Sequence, residues 1–107
     1  MQIKTSELIG AALDWAVTQI DYEGTAHDVW RNFRNECHYS TDWKEGGPII
    51  EREDIALNPC AAPTGWSAYK VWGDRGEYVG PTPLIAAMRC YVASKLGDSV
   101  EIPEKLA

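Results

Sequence analysis

Residues 83–96 constrain the fold most, because the stretch PLIAAMRCYVASKL has the boundaries of a helix and very little polar surface. Thr82 is predicted to cap the helix, Pro83 suits its first turn, and Gly97 follows as its terminator. The more polar side chains of the stretch are Arg89, Ser94 and Lys95. Such a helix must be covered on most sides, either by the rest of a small domain or by a second copy of the chain.

A second helix of the same character is predicted near the start of the chain. Thr5 or Ser6 would cap it, and it would run to about Ile20 with a narrow polar strip that includes Asp14 and Thr18. Two helices that are apolar or small almost all round, in a chain of 107 residues, favour a homo-oligomer.

The remaining sequence predicts a small sheet and one short helix. Thr25 and Asp28 resemble a capping box, which places the short helix near residues 26–37. The other predictions are a loop before Gly46-Gly47-Pro48, a strand beginning at IIERE (49–53), irregular chain over 55–65, a hairpin of 66–72 with 77–79 around a turn at 73–76, and a short strand at 100–102. The chain is therefore predicted to be one α+β domain, residues 1–107, with two main helices packed on a small, mostly antiparallel sheet.

Arg89 lies at the edge of the apolar face of the last helix. If that face is buried, its guanidinium needs a partner, because an unpaired buried charge is costly. A carboxylate would serve, and the candidates are Glu51, Glu53 and Asp54. The alternatives are a bound anion such as a phosphate, or extension of the side chain to solvent.

Gly46-Gly47-Pro48 allows two interpretations. It is a turn that leads into a strand, or it lets backbone N–H groups approach a ligand while Trp43 forms a stacking wall. The excess of Trp and Tyr, five of each against one Phe, suits pocket walls and interfaces. A nucleobase would stack on one of the aromatic rings, and Arg89, Arg52 or Lys44 would contact its phosphates. The candidate ligand-binding residues are Trp43, Gly46, Gly47, Arg52, Trp66, Tyr69 and Arg89.

Several classes of function are disfavoured. The net charge of −6 argues against nucleic-acid binding, and no apolar stretch approaches the roughly 20 residues that cross a membrane. Cys37, Cys60 and Cys90 are interpreted as reduced thiols of a cytoplasmic protein. The His and Cys spacing fits no usual zinc site, KEGGP is not a phosphate-binding loop, and the acidic residues suggest no catalytic pair. We therefore expect no metal, no cofactor and no enzymatic activity.

Three long blocks of the sequence resemble the NinX-type proteins of lambdoid phages and prophages. They are KTSELIGAALDWAV, YSTDWKEGGPIIERE and GPTPLIAAMRCYVASKLGDSVEIPE, and the similarity is weakest across residues 21–37 and 57–75. The resemblance implies a small accessory protein made in the cytoplasm of an infected host. It brings no established catalytic residue.

The resemblance to phage accessory proteins suggests a function by analogy of physical type. Some small phage proteins sequester cyclic or ADP-ribose-derived immune nucleotides at pockets between subunits. We therefore expect a non-catalytic binding protein for a nucleotide-type signal that acts against host defence as a homo-oligomer. The alternative is an inhibitor or adaptor that binds a host or phage protein through exposed aromatic residues.

Overall fold

The computed structural model describes residues 1–21, 38–60, 65–72 and 76–106. In chain order the elements are β1 (Gln2–Lys4), a 3₁₀ turn (Thr5–Glu7), α1 (Gly10–Asp21), α2 (Trp43–Arg52), β2 (Ile55–Pro59), β3 (Trp66–Lys70), β4 (Glu77–Gly80), α3 (Pro83–Leu96), β5 (Ser99–Glu101) and a second 3₁₀ turn (Glu104–Leu106). The predicted short helix near 26–37 lies outside the described residues, as does most of the predicted turn at 73–76.

Helix α3 is the centre of the fold. The antiparallel sheet β2-β3-β4 packs against it, and so do α1 and α2. Its residues 84–92 are all buried within the single chain. The class is therefore mixed α+β, as predicted. The rest of the chain supplies the cover that α3 needs, so α3 gives no reason to invoke a second copy, and the homo-oligomer stays a prediction.

The ends of α3 form as its sequence predicts. The Thr82 hydroxyl accepts the N–H of Ile85 at 3.1 Å, and Pro83 occupies the first turn. Gly97 has a φ of +93°, a conformation that favours glycine. The start of the chain is bound to the C-terminal end of α3, because the Thr5 hydroxyl donates to the Gly97 carbonyl at 2.6 Å. Strands β1 and β5 then pair antiparallel, which confirms a short strand near residue 100 and adds an unpredicted partner.

The first long helix begins later than predicted. Residues 5–7 form a 3₁₀ turn, Leu8 is extended, and α1 starts at Gly10, where φ is +60°. Residues other than glycine rarely adopt this backbone conformation. Glycine at position 10 therefore permits the change of direction between the turn and the helix. The predicted start at Thr5 or Ser6 is wrong because the extended backbone of Leu8 and the positive φ of Gly10 separate the 3₁₀ turn from the helix.

The prediction for residues 43–53 is wrong. Neither a turn at Gly46-Gly47-Pro48 nor a strand beginning at Ile49 forms there, because the segment is helix α2. Asp42 caps this helix by accepting the N–H of Lys44 at 2.9 Å. Glycine and proline are poor helix formers, but Gly46 and Ile49 are buried against the rest of the fold, and this packing outweighs the low propensity.

Only the first strand of the three-stranded sheet lies at a position different from the predicted one. Its first strand is β2, in a segment predicted to be irregular, and β2 pairs with β3 from Ile55–Lys70 to Pro59–Trp66. The predicted antiparallel pairing of β3 with β4 is confirmed, with Trp66 opposite Gly80. Within the described ranges, no helix is long and apolar enough to cross a lipid bilayer.

Candidate functional site

Helices α2 and α3 run side by side in the same direction. Near the start of both, a methyl group on Gly46 would lie only 2.7 Å from Leu84 Cδ2. Farther along both, Arg52 Nη2 donates to the Tyr91 hydroxyl at 2.9 Å, and its guanidinium carbon lies 5.6 Å from the centre of the Tyr91 ring. The two helices therefore begin at the same end of the molecule, where their partial positive charges lie close together.

A groove of about 220 Å³ opens at this shared end. Ser40, Thr41 and Trp43 line one side, and residues 82–85 line the other; we call it the Trp43 groove. Trp43 is 53% exposed, although it is a large apolar side chain. An exposed aromatic ring beside a small, mostly apolar groove is an arrangement that suits a flat ligand.

A hydrogen bond to helix α1 fixes the position of Ser40 in the wall of the groove. The Asp14 carboxylate accepts the backbone N–H of Ser40 at 2.8 Å, and both residues are buried. Burial raises the pKa of Asp14; the hydrogen bond from the Ser40 backbone, the Ser40 hydroxyl and the charge of His38 oppose that rise. The hydroxyl is near enough to act on the carboxylate, yet Ser40 Oγ has no partner that meets hydrogen-bond geometry among the described residues.

Four of the predicted binding residues lie on α2, but they do not share one role. Trp43 and Arg52 are exposed near its two ends, and Gly47 is partly exposed between them. Gly46 is buried, and an added Cβ at this position would collide with the Tyr39 carbonyl and with Leu84. Gly46 therefore serves the packing of α2 on α3, whereas Gly47, Pro48, Glu51 and Arg52 line a shallow surface depression.

The two aromatic residues predicted on β3 lie on opposite faces of the sheet. Trp66 is half-buried, packs against the core, and pairs with Gly80, which touches α3. Tyr69 is three positions along and therefore on the other face, where it is 38% exposed. They do not form a common stacking surface with each other.

Arg89 is buried, and its partners are backbone carbonyls. Its Nε donates to Leu8 O at 2.7 Å and its Nη1 donates to Val79 O at 2.8 Å. The interpretation that Arg89 pairs with Glu51, Glu53 or Asp54 is therefore wrong. The guanidinium joins the chain segment before α1 to strand β4, across α3, and burial lowers its pKa.

Glu53 is instead the centre of a cation cluster. Its carboxylate accepts from Arg52 Nε and Lys70 Nζ at 3.1 Å each, and Lys95 Nζ lies 3.6 Å away. Burial acts to raise the pKa of Glu53, but these hydrogen bonds and positive charges outweigh it and lower the pKa. Three cations therefore surround one carboxylate in a protein of net charge −6.

A second, more polar pocket of about 220 Å³ lies between the sheet and the end of α3. Lys70, Tyr78, Ser94 and Asp98 line it, and the Tyr78 hydroxyl donates to Asp98 Oδ1 at 3.1 Å. Cys90 also reaches this pocket. Cys60 is a partly exposed free thiol, and Cys37 lies outside the described residues.

Sequence reasoning found Trp43 but missed Ser40 and residues 82–85 as its neighbours in the groove. Asp42 before an apolar pattern at Gly46, Ile49 and Ile50 was the available signal for a capped helix. The two glycines and the proline of the same segment are poor helix formers, so the sequence favoured a turn over this helix. No local signal connects Ser40 with Asp14, because they are 26 positions apart.

Comparison with known proteins gives one informative result. A search of curated proteins gives no match. The family model described as bacteriophage P22, NinX, matches residues 4–95, which covers most of the chain and confirms the resemblance seen in the sequence. The chain therefore belongs to the NinX family of bacteriophage P22.

Proposed function

We propose that this NinX-family protein binds a small nucleotide-type immune signal, such as a cyclic nucleotide or an ADP-ribose derivative, without chemically changing it. By sequestering the signal in the host cytoplasm, it would counter a host defence. The observation that carries the proposal is the exposure of Trp43, 53%, at the wall of a groove between the starts of two helices.

Trp43 supports a nucleotide because its ring offers a large flat surface on which a base can stack. Base–aromatic stacking contributes about 1–3 kcal/mol per base and is largely independent of sequence. Leaving a tryptophan half exposed forgoes hydrophobic stabilisation, which a ligand that covers the ring would restore.

The charges of α2 support a ligand with few phosphates. Lys44 is exposed beside Trp43, and Arg52 is exposed at the other end of the helix within the cation cluster. The net charge of −6 would repel a long polyanion while leaving these local positive groups able to contact one or two phosphates. Arg89 is a weaker candidate for this role, since its side chain is buried and two of its nitrogens donate to carbonyls.

Self-association belongs to the same proposal. Tyr69 and Val79 are both exposed on the sheet face that points away from α3, and Val71 and Trp72 continue the same exposed strand end. Trp72 is the most exposed large apolar residue among the described ones, at 71%. Exposed apolar side chains grouped on one face are typical of an interface.

Isothermal titration against a panel of cyclic dinucleotides and ADP-ribose derivatives tests the proposal. We expect at least one compound to bind, and the same compound to be recovered unchanged after incubation. Trp43→Ala should weaken binding about 5- to 100-fold, the loss of one stacked base. Ile9→Ala is the control and should retain affinity, since Ile9 is 54% exposed and belongs neither to the groove nor to the exposed group on the sheet. No binding to any compound by the folded protein would contradict the proposal, and recovery of a new product would indicate an enzyme.

The exposed group Tyr69, Val71, Trp72 and Val79 also favours the alternative function, an inhibitor or adaptor for a host or phage protein. Affinity purification from infected cells separates the two functions. A sequestering protein should bring down no stoichiometric protein other than itself. A partner whose capture is lost in Trp72→Ala but kept in Trp43→Ala would establish the alternative.

A further inference from the structure

We propose that a second copy of this chain pairs with the outer edge of strand β2, so that two antiparallel β2 strands join two three-stranded sheets into one continuous sheet. The inference rests on the proposed function only for the expectation that the chain associates with itself. It deepens that expectation by naming the edge, the register and the partner, and it makes no use of the ligand.

The ladder between β2 and β3 shows which backbone groups of β2 point outward. The N–H of Val71 donates to the Asp54 carbonyl at 3.0 Å, just before the paired part of the two strands. Hydrogen-bonded pairs alternate along an antiparallel ladder, so the even-numbered residues of β2 bond to β3 and the odd-numbered ones point away from it. The N–H and C=O groups of Ile55 and Leu57 therefore form the outer edge.

This outer edge has no partner. Among the described residues, none donates to or accepts from the outward backbone groups of Ile55 and Leu57. Ile55 is only 7% exposed and Leu57 is partly buried, so water has limited access to these groups. Backbone N–H and C=O groups in such positions are normally paired. A further strand along β2 would pair them.

The opposite edge of the sheet, strand β4, is a poorer place for a partner. Its Val79 carbonyl already accepts Arg89 Nη1 at 2.8 Å, and Glu77 places a charge at the start of the strand. Charged side chains are a usual protection of exposed sheet edges, and the β2 sequence IALNP contains none. The unprotected edge is therefore β2.

A second copy fits this edge because a twofold axis brings two identical strands together antiparallel. With the axis at Ala56, Ile55 of each copy lies opposite Leu57 of the other, and every outward N–H and C=O of these residues is paired. With the axis at Leu57, Ile55 would lie opposite Pro59, which has no N–H to give to the Ile55 carbonyl. The proline therefore selects the register centred on Ala56.

The charges agree with this antiparallel register. Asp54, which is exposed, comes opposite the exposed amide of Asn58 in the second copy, so a hydrogen-bond acceptor lies beside a donor. The cation clusters around Glu53 lie at opposite ends of the paired strands and do not face each other. The pairing thus opposes no like charges.

The expected association is weak. A strand pair of five residues is small beside the roughly 800 Å² per partner of a standard interface, so the dimer should depend on concentration. The pairing also makes the outer sheet faces of the two copies continuous, because Tyr69 lies next to Ala56 on that face.

Sedimentation velocity over roughly 5 to 500 µM protein tests the inference. We expect the parent protein to shift from monomer to dimer. Ala56→Lys should abolish the shift, because it places two like charges directly opposite each other at the axis. Asn58→Lys is the matched control, since it adds the same charge to the same face beside Asp54 of the other copy, and it should dimerise at least as well as the parent. Circular dichroism checks that both variants are folded.

Oxidative crosslinking tests the register, with Cys60→Ser as the background because Cys60 is a partly exposed native thiol. Ala56→Cys should give a disulfide-linked dimer, since paired positions of this kind have Cα atoms about 4.5 Å apart, within the range of a disulfide. Asn58→Cys should crosslink no more than the background. Residue 58 is the more exposed of the two, but its two copies lie too far apart.

The outcomes separate this inference from the proposed function. A protein that stays monomeric at every concentration overturns the inference, and so does equal dimerisation of Ala56→Lys and Asn58→Lys or equal crosslinking of the two cysteine variants. If the protein is monomeric and still binds a compound of the nucleotide panel, edge pairing fails and ligand binding stands. If the strands pair as expected and no compound binds, edge pairing stands and sequestration fails.

Discussion

The Asp14 carboxylate of α1 accepts the backbone N–H of Ser40 at 2.8 Å and so joins α1 to the turn that precedes α2. This contact fixes the position of Ser40 in the wall of the groove. Asp14 is only 5% exposed, and its burial raises its pKa. The site and the stability of the fold are therefore linked through one buried acid.

Asp14→Asn should stabilise the protein more at pH 7 than at pH 4. The raised pKa means that the folded state holds a proton on Asp14 more tightly than the unfolded state does, so its contribution to stability is full below about 3.8 and is lost as the pH rises through the folded pKa. Asparagine keeps an oxygen for the Ser40 N–H and cannot ionise. Thermal unfolding of both proteins from pH 3 to pH 8 measures the difference.

Glu104→Gln, the same carboxyl-to-amide change at an exposed position, supplies the control for this experiment. A difference between Asp14→Asn and the parent protein that is the same at every pH would mean that Asp14 does not ionise differently in the folded state.

Glu53→Gln should destabilise the protein, with the opposite pH dependence. The pKa of Glu53 is lowered in the folded state, so its stabilisation is present above the ordinary value of 4.5 and is lost as the pH falls through the folded pKa. Removing the charge leaves Arg52, Lys70 and Lys95 without their shared partner and should cost ~1 kcal/mol at pH 7. Chemical denaturation at pH 7 and pH 3.5 should show a gap at the first pH that shrinks at the second.

The fold could be predicted where local chemistry and tertiary packing agree. Helix α3 has a Thr cap, a Pro in its first turn and a terminal Gly, so its boundaries follow from the sequence. Helix α2 could not be predicted in this way, because its two glycines and proline oppose a helix and only contact with Leu84 and Tyr39 makes Gly46 necessary. Long-range packing of this kind leaves no mark in a single sequence.

The candidate site could be predicted only through its most unusual residue. Trp43 stands out because an aromatic side chain follows the polar stretch HYSTD. Ser40 and residues 82–85 join it through the parallel packing of α2 and α3, and that arrangement depends on the helix that was missed. Arg89 shows the opposite limit, since a buried guanidinium was expected to find a partner but the sequence could not indicate backbone carbonyls.

Arg89→Met should destabilise the protein by about 2–4 kcal/mol, because it removes charged donors from the carbonyls of Leu8 and Val79. Lys95→Met on the same helix is the control, since the Lys95 side chain is 43% exposed and its replacement should cost ~1 kcal/mol or less. Urea denaturation measures both. If Arg89→Met keeps its stability and loses ligand affinity, Arg89 contacts the ligand, as the sequence alone suggested.

Gly46→Ala and Gly47→Ala should change stability in opposite directions, although they are neighbours in the same helix. A Cβ at Gly46 would collide with the backbone carbonyl of Tyr39 and lie 2.7 Å from Leu84 Cδ2, so α2 must move away from α3. Overpacking of this kind costs about 1–3 kcal/mol. At Gly47 the nearest atom to a new Cβ is Trp43 Cε3 at 4.0 Å, so alanine fits and gains up to ~1 kcal/mol of helix propensity.

Because the Trp43 groove depends on the packing of α2 against α3, Gly46→Ala should also weaken ligand binding, whereas Gly47→Ala should preserve it. Urea denaturation and titration of both variants measure these effects, and equal stability of the two would show that the close approach of α2 to α3 at Gly46 does not hold in solution.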